Sequence, residues 1–377
     1  MKIIVSNKPR EKFDADLDEH NINYIRFEDL LVFGGSDSDE PKLVQLINID
    51  EDSKVLVFTA EGASTLKSHI FEKIPDFIKT LRASQHFETF LINNPSKLLT
   101  KGLERISDVE FESTTYYDPL TEKNIKDVSI NFDDKIIGQN KAKKSILRSL
   151  IRTLTRKDSS KPLVLMFYGR PGIGKTETAK YLAKQLYDGD IVREQMSMAS
   201  NESSVSYFKS TSHHENSFSK TLMNRSSNII LLDEFALSHP VIHAAFFQLF
   251  DEGTYTDNNY TVDMRNSIII CTSNILRRED MYKQIDEALL SRFDAFISFE
   301  PFSTEEKEII IAKVIEDYKK DIKKEFQEKI NWQQSAKLLK ATAPSLTNMR
   351  NIKNYVEEYF ANELLKSILD TETQIEN

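Results

Sequence analysis

Short apolar runs alternate with helical periodicities from the first residues onward. Ile3–Val5, Val55–Thr59, Thr89–Asn93 and Val109–Tyr117 read as strands, and Leu66–Arg82 and Ser96–Ile106 as helices. Strands alternating with helices predict a small α/β domain over residues 1–125 with a mostly parallel sheet. Ser36–Pro41 reads as a solvated loop and residues 118–130, with Pro119, as a linker. From Lys135 to about Phe299 the units lengthen, with buried strands at Pro162–Tyr168, Ile229–Leu232 and Ser267–Cys271. Ser303-Thr304-Glu305-Glu306 is a capping-box signature, and beyond it only helical periodicity remains, with Ile352, Val356, Phe360 and Leu364 at spacing four.

The 377 residues are 40% hydrophobic and 29% charged, enough for sizeable cores. No apolar run approaches the ~18 residues of a membrane span, and charge follows Met1–Val5 too soon for a leader peptide. One cysteine, Cys271, allows no internal disulfide and no cysteine-rich zinc cluster, which points to a cytosol-like compartment. Residues 1–126 hold 16 basic and 23 acidic side chains, so this region repels phosphate backbones and argues against a nucleic-acid reader there. Asp14, Asp16 and Asp18 lack the glycine and closing glutamate of a calcium loop and read as a solvated acidic face.

Ten glycines serve the whole chain, and Gly169, Gly172 and Gly174 fall within six residues. They sit in Gly169-Arg-Pro-Gly-Ile-Gly-Lys175-Thr176, between a buried strand and a helix whose apolar face is Ala179, Leu182, Ala183 and Leu186. That is a G-x-x-x-x-G-K-[ST] loop in its required context. Glycine-permissive dihedrals let successive N–H groups wrap a triphosphate, and the helix N-terminus adds positive potential. The predicted ATP contacts are Gly169, Arg170, Pro171, Gly172, Ile173, Gly174, Lys175, Thr176 and Glu177. Lys175 would reach the β- and γ-phosphates, and Thr176 would ligate Mg²⁺. The strand Ile229–Leu232 runs into Asp233-Glu234. Two carboxylates at a buried strand end are costly without a cation. Asp233 is therefore assigned to Mg²⁺ and Glu234 to a water aimed at the γ-phosphate. Thr272-Ser273-Asn274 ends the next strand. It suits an amide near the phosphates but is also ordinary turn chemistry. Read alone, Arg292 suits a salt bridge to Asp294 or Glu287, and Arg350 a solvated helix charge.

With these motifs in order, residues 130–365 resemble an AAA+ ATPase, most closely the second ATPase module of the Clp disaggregase and unfoldase family. The resemblance is carried by Asp233-Glu-Phe-Ala-Leu-Ser-His-Pro240, Leu249-Phe-Asp-Glu-Gly253 and Thr261-Val-Asp-Met-Arg-Asn-Ser267. Ile136-Ile-Gly-Gln139, Leu289-Leu-Ser-Arg-Phe-Asp294 and Thr347-Asn-Met-Arg-Asn-Ile-Lys-Asn354 extend it. It implies a P-loop AAA+ core with a parallel sheet over 128–300, a helical lid over 301–377 and a separate N-terminal α/β domain. It also implies an adenine pocket at Ile136 and Ile137, and catalytic roles for Glu234, Asn274 as sensor 1 and Arg350 as sensor 2. Arg292 would be an arginine finger acting on a neighbouring subunit, hence a ring, expected to be a hexamer. ATP and Mg²⁺ are the implied cofactors.

Clp unfoldases grip polypeptide with an aromatic–Gly loop between these motifs. The corresponding Ser204–Asn228 holds Tyr207-Phe208 and His213-His214 but no glycine. The Tyr-Phe pair suits a core anchor better than a grip, and the His pair a polar loop tip better than a metal site. No tripeptide loop for docking a barrel protease is recognisable. Arg148, Arg152 and Arg156 share one face of a basic stretch, Lys141–Lys161, better read as a solvated or intersubunit face than as a nucleic-acid stripe. The expected function is an ATP-driven remodelling ring whose acidic N-terminal domain recruits a protein client. The alternatives are a non-threading, nucleotide-gated switch for a specific partner, such as a defence or mobile-element effector, and a nucleic-acid-associated AAA+ protein.

Overall fold

In the computed structural model, residues 1–33, 41–43, 52–112, 117, 119–157, 161–201, 204–212 and 214–373 are described. The N-terminal elements are β1 (Lys2–Ser6), α1 (Arg10–Glu19), β2 (Tyr24–Arg26), β3 (Leu31–Phe33), β4 (Pro41–Leu43), β5 (Val55–Thr59), α2 (Ala60–Ser64), α3 (Ser68–Ser84), β6 (Thr89–Asn93), α4 (Lys97–Leu103) and β7 (Val109–Phe111). Five of the strands form a parallel sheet in the order β2-β5-β6-β1-β7. Alternation sorts the side chains. Ile3, Val5, Leu56, Phe58, Phe90 and Ile92 meet Ile70, Ile74 and Ile78 of α3 on one face, while Val57 meets Phe13 and Leu17 of α1 on the other. β3 and β4 form an antiparallel pair. Residues 36–40 of the expected loop lie outside the described residues, and so do 113–116 of the strand expected to reach Tyr117.

The expected linker is largely a helix, α5 (Glu122–Lys135). Its start is a capping box: Thr121 Oγ1 accepts from Asn124 N at 3.3 Å, and Asn124 Oδ1 accepts from Thr121 N at 2.9 Å. Val128 and Phe132, four apart, are both fully buried. Polarity at a domain junction concealed that two-residue apolar stripe.

Then follow α6 (Asn140–Leu154), β8 (Leu163–Tyr168), α7 (Lys175–Tyr187), β9 (Val192–Gln195), α8 (Val205–Lys209), α9 (Phe218–Met223), β10 (Ile229–Asp233), α10 (Pro240–His243), α11 (Phe247–Glu252), β11 (Thr254–Thr256), β12 (Thr261–Asp263), β13 (Ile268–Ser273), α12 (Glu287–Leu290) and β14 (Ala295–Ser298). The second parallel sheet runs β14-β8-β13-β10-β9, with β11 and β12 as a separate antiparallel pair. Its central strands are buried on both faces, which explains their unbroken apolar runs. Leu163, Leu165 and Phe167 enter one core, Val164 and Met166 the other.

The C-terminal helices are α13 (Thr304–Asp321), α14 (Lys324–Gln327), α15 (Trp332–Ala341) and α16 (Met349–Thr373). Ser303 and Glu306 form the expected capping box. Ile352, Val356 and Phe360 are fully buried at their predicted spacing, and Leu364 packs at the edge of the same core. That core is continuous with one face of the second sheet, so the helical region closes over the strand ends.

Candidate nucleotide site

The loop after β8 turns through three glycines with positive φ: 136° at Gly169, 71° at Gly172 and 101° at Gly174. A Cβ at Gly169 would stand 2.4 Å from the Phe299 carbonyl oxygen, so close approach and dihedral both demand glycine there. At Gly174 a Cβ would meet nothing within 4 Å and would project into open space. Gly174 is also the N-cap of α7 and offers no side-chain cap, so the helix begins with unmet N–H groups and its positive end exposed. A glycine loop open to the cleft, an uncapped helix start and a lysine together fit a phosphate chain.

Lys175 is nearly buried. Its Nζ donates to the Gly169 carbonyl (2.6 Å), the Arg170 carbonyl (2.8 Å) and Asn274 Oδ1 (3.0 Å). Burial pushes its pKa down to about 8, against the opposing pull of Asp233 and Glu234. Pairing of β10 with β13 brings both strand ends to this point. Thr272 Oγ1 donates to Asp233 Oδ1 at 2.5 Å, and Glu234 N donates to Thr272 Oγ1 at 2.9 Å. Thr176 Oγ1 stands 3.5 Å from Asp233 Oδ2. Glu234 itself has φ of 57°, a left-handed conformation that a non-glycine residue keeps only where its surroundings enforce it. Asn274 Nδ2 lies 3.3 Å from Glu234 Oε1.

These groups line one cleft of about 1310 Å³, together with Ile136, Ile137, Pro171, Gly172, Ile173, Glu177 and Arg350. Gly169 and Arg170 do not line the cleft but contribute the carbonyls that hold Lys175. Met349 N, at the start of α16, donates to the Gly172 carbonyl at 2.9 Å and so ties the helical region directly to the loop. Arg350 is exposed on the cleft wall.

Arg292 is elsewhere. Its Nε donates to Asp251 at 2.6 Å, its guanidinium also reaches the Ala288 carbonyl, and it lies over the Phe247 ring at 4.7 Å. Neither of the two carboxylates suggested by sequence is its partner: Asp294 instead pairs with Arg156 and accepts from Val164 N.

Arg193 and Gln195 carry no sequence expectation, and Gln139 enters only within a motif, without a role. Arg193 makes a two-nitrogen contact with Asp233 Oδ2, at 2.6 and 3.1 Å. Gln195 Nε2 donates to Glu234 Oε2 at 2.7 Å. The side-chain amide of Gln139 donates to the Ile173 and Glu300 carbonyls and accepts from Glu300 N, stapling the Ile136–Ile137 turn to the loop. Period-two alternation in β9 puts Arg193 and Gln195 on one face, but over only four residues it is a faint signal.

None of the described residues of the Ser204–Asn228 segment lines the cleft. Phe208 is buried, Tyr207 packs edge-on against it, and the Tyr207 hydroxyl reaches Glu194 Oε1 (2.5 Å) and Thr221 Oγ1 (2.9 Å). The pair is a core anchor. His213 lies outside the described residues. Lys141 and Lys143 pair with Glu300 and Asp133, Arg156 pairs with the Asp294 carboxylate, and Arg152 donates to the Asp294 main-chain carbonyl at 3.5 Å, so much of the basic stretch is engaged within the chain. Asp14 and Asp16 pair with Arg10 and Lys8. Among the described residues no group of three His, Cys, Asp or Glu could hold a metal ion, and no helix is long and apolar enough to cross a membrane.

Residues 160–332 match the family model of the AAA domain (Cdc48 subfamily). The chain carries an AAA+ domain. It resembles the second ATPase module of the Clp family. The chaperone protein ClpB of Clostridium tetani is 28% identical over 284 residues, 65% of this chain and 32% of that protein. ClpB of Tropheryma whipplei is 33% identical over 182 residues, 42% and 26% of the two chains. The chain thus spans about a third of the length of such relatives. The fold is similar to Hsp104 solved in its closed state with ATPγS and FITC casein (18% identity, TM-score 0.55, 83% of this chain and 61% of that one). It is also similar to the S. cerevisiae Hsp104–ADP complex (20%, TM-score 0.51, 66% and 49%). Coverage of 83% exceeds what residues 118–377 could supply, so the likeness takes in part of residues 1–117.

Proposed function

We propose that the chain is a Mg²⁺-dependent ATPase that works as a ring, with a hexamer as the expected size, to remodel a protein partner. The observation that carries this reading is convergence: the glycine loop, Asp233-Glu234, Asn274 and Arg350 line one cleft, while Arg292 points away from it. In this reading Ile136 and Ile137 hold the adenine, and the loop amides and Lys175 hold the phosphates. Thr176 and Asp233 hold Mg²⁺, which neutralises phosphate charge when bound. A site with one carboxylate and one hydroxyl suits an ion that keeps waters and phosphate ligands. Arg193 must then share Asp233 or release it. Glu234, held between Gln195 and Asn274, takes the proton of the attacking water, and Arg350 binds nucleotide from the helical lid. Arg292 acts on the neighbour's nucleotide. The proposal sets this work in the cytoplasm, with a protein client bound through the acidic N-terminal region. ClpB relatives and a casein-bound Hsp104 support that class of partner.

A second reading, a nucleotide-gated switch that threads nothing, is favoured by the anchoring of Tyr207 and Phe208. Glu234→Gln protein held in ATP and captured from host lysate separates the two. Many unrelated proteins, lost on changing Tyr207 and Phe208 to Ala, indicate threading. A single stoichiometric partner, indifferent to those changes, indicates the switch. Binding that falls steeply with salt and follows nucleic acid would displace both.

A further inference from the structure

Counted in chain order within each sheet, both five-stranded sheets read fifth, first, fourth, third, second, and every neighbouring pair is parallel. β1 is the counterpart of β8, β5 of β10 and β6 of β13. Such sheets bind ligands at the carboxyl ends of the strands, where the connections diverge. The N-terminal sheet keeps a crevice there, of about 280 Å³ against about 1310 Å³ in the AAA+ domain, just under the ~300–1,000 Å³ of ordinary ligand pockets.

Its chemistry is different at each corresponding place. β1 runs into Asn7-Lys8-Pro9, without glycine, and Pro9 removes an N–H donor. The Lys8 amide is already bonded to Asn93 Oδ1 at 2.9 Å, and its amine is held by Asp16 and Glu112. β5 ends in Thr59-Ala60 where β10 ends in Asp233-Glu234, and Thr59 serves as a helix cap for α2. Arg10, Arg26 and Lys220 line the crevice against Asp14, Glu28 and Glu61, so its formal charges balance, and Glu61 pairs with Arg10 at 2.7 Å. A triphosphate would find neither the amide cradle nor net positive potential.

The AAA+ domain closes the crevice instead. Lys220 Nζ donates to Ser64 Oγ at 2.9 Å, and His214 Nδ1 lies 2.7 Å from the Ser64 carbonyl oxygen. Asn216, Met223 and Asn224 complete that wall, and Ala60 packs against the second sheet's core. Lys97 N to the Asn259 carbonyl (2.8 Å) and Tyr117 Oη to the Arg225 carbonyl (2.9 Å) brace the contact on either side.

We propose that residues 1–112 are a second copy of the P-loop sheet, silent towards nucleotide, whose crevice is the seat of segment 214–224. Hydrolysis plays no part in this assignment, so it stands or falls apart from the proposed function. Full-length protein is titrated with a fluorescent ATP analogue. One nucleotide per chain, abolished by Lys175→Ala, is expected; two per chain, or binding that survives Lys175→Ala, overturns the silent copy. Hydrogen–deuterium exchange then compares wild type with Lys220→Gln and with Ser64→Ala, which remove the contact from opposite sides. Exchange should rise about tenfold in both 60–65 and 214–224 in at least one variant, with nucleotide stoichiometry still one. No change in either variant, or change confined to one side of the contact, overturns the seat.

Discussion

β8 and β1 occupy the same place in two sheets of the same strand order, yet β8 leads into three left-handed glycines and β1 into a glycine-free loop locked onto Asn93. β10 delivers Asp233 and Glu234 to a large cleft, whereas β5 delivers Thr59 and Ala60 to a small one. Architecture places a crevice at the strand ends in both. Glycine dihedrals, a helix start left uncapped and a buried lysine fit one crevice, and not the other, to a phosphate chain. On the proposed reading, the sheet sets where binding can occur in this molecule, and a handful of loop residues distinguishes the two crevices.

The contrast can be broken most forcefully at Arg292. If it completes a neighbour's site, Arg292→Ala lowers steady-state ATP turnover by about 10³-fold or more while nucleotide binding persists, as a phosphate-release assay would read. Glu234→Gln should reduce single-turnover hydrolysis by about 10²–10⁴-fold with ATP binding intact; retained turnover would remove it as the base. In the other sheet a large effect should appear only in stability. Phe58→Ala, at a fully buried position, should cost about 3–5 kcal/mol in denaturant unfolding of the N-terminal region. Ser303→Ala, which removes the cap that accepts from Glu306 N at 3.2 Å, should cost about 1 kcal/mol. The smallest effect sharpens the contrast most: Arg10→Ala, in the N-terminal crevice, should leave ATP turnover within about twofold.

Much of the second sheet was legible because its strands are apolar on both faces and its loop has a demanding spacing. Leu163–Tyr168 and Ile229–Asp233 needed no partner to be recognised, and Val55–Thr59 and Thr89–Asn93 were equally clear. What escaped was carried by contacts between distant residues. β9 is short and polar, so Arg193 and Gln195 gave little periodic signal until pairing with β10 set them beside Asp233 and Glu234. The Thr121–Asn124 cap of α5 was hidden in a stretch whose composition suggested a linker. Arg292 found Asp251, 41 positions away, rather than the nearby carboxylates. Above all, the shared order of the two sheets is a property of strand pairing, and no local pattern announces it.

In the proposed function, nucleotide chemistry is confined to the AAA+ cleft and completed there by Arg292 of another subunit. Mixing Arg292→Ala with Glu234→Gln protein tests it most directly, because each is inactive alone for a different reason. Partial recovery of hydrolysis is expected in mixed assemblies, at interfaces that pair an intact Glu234 with an intact Arg292. Co-assembled rings with no recovery at any mixing ratio would contradict it.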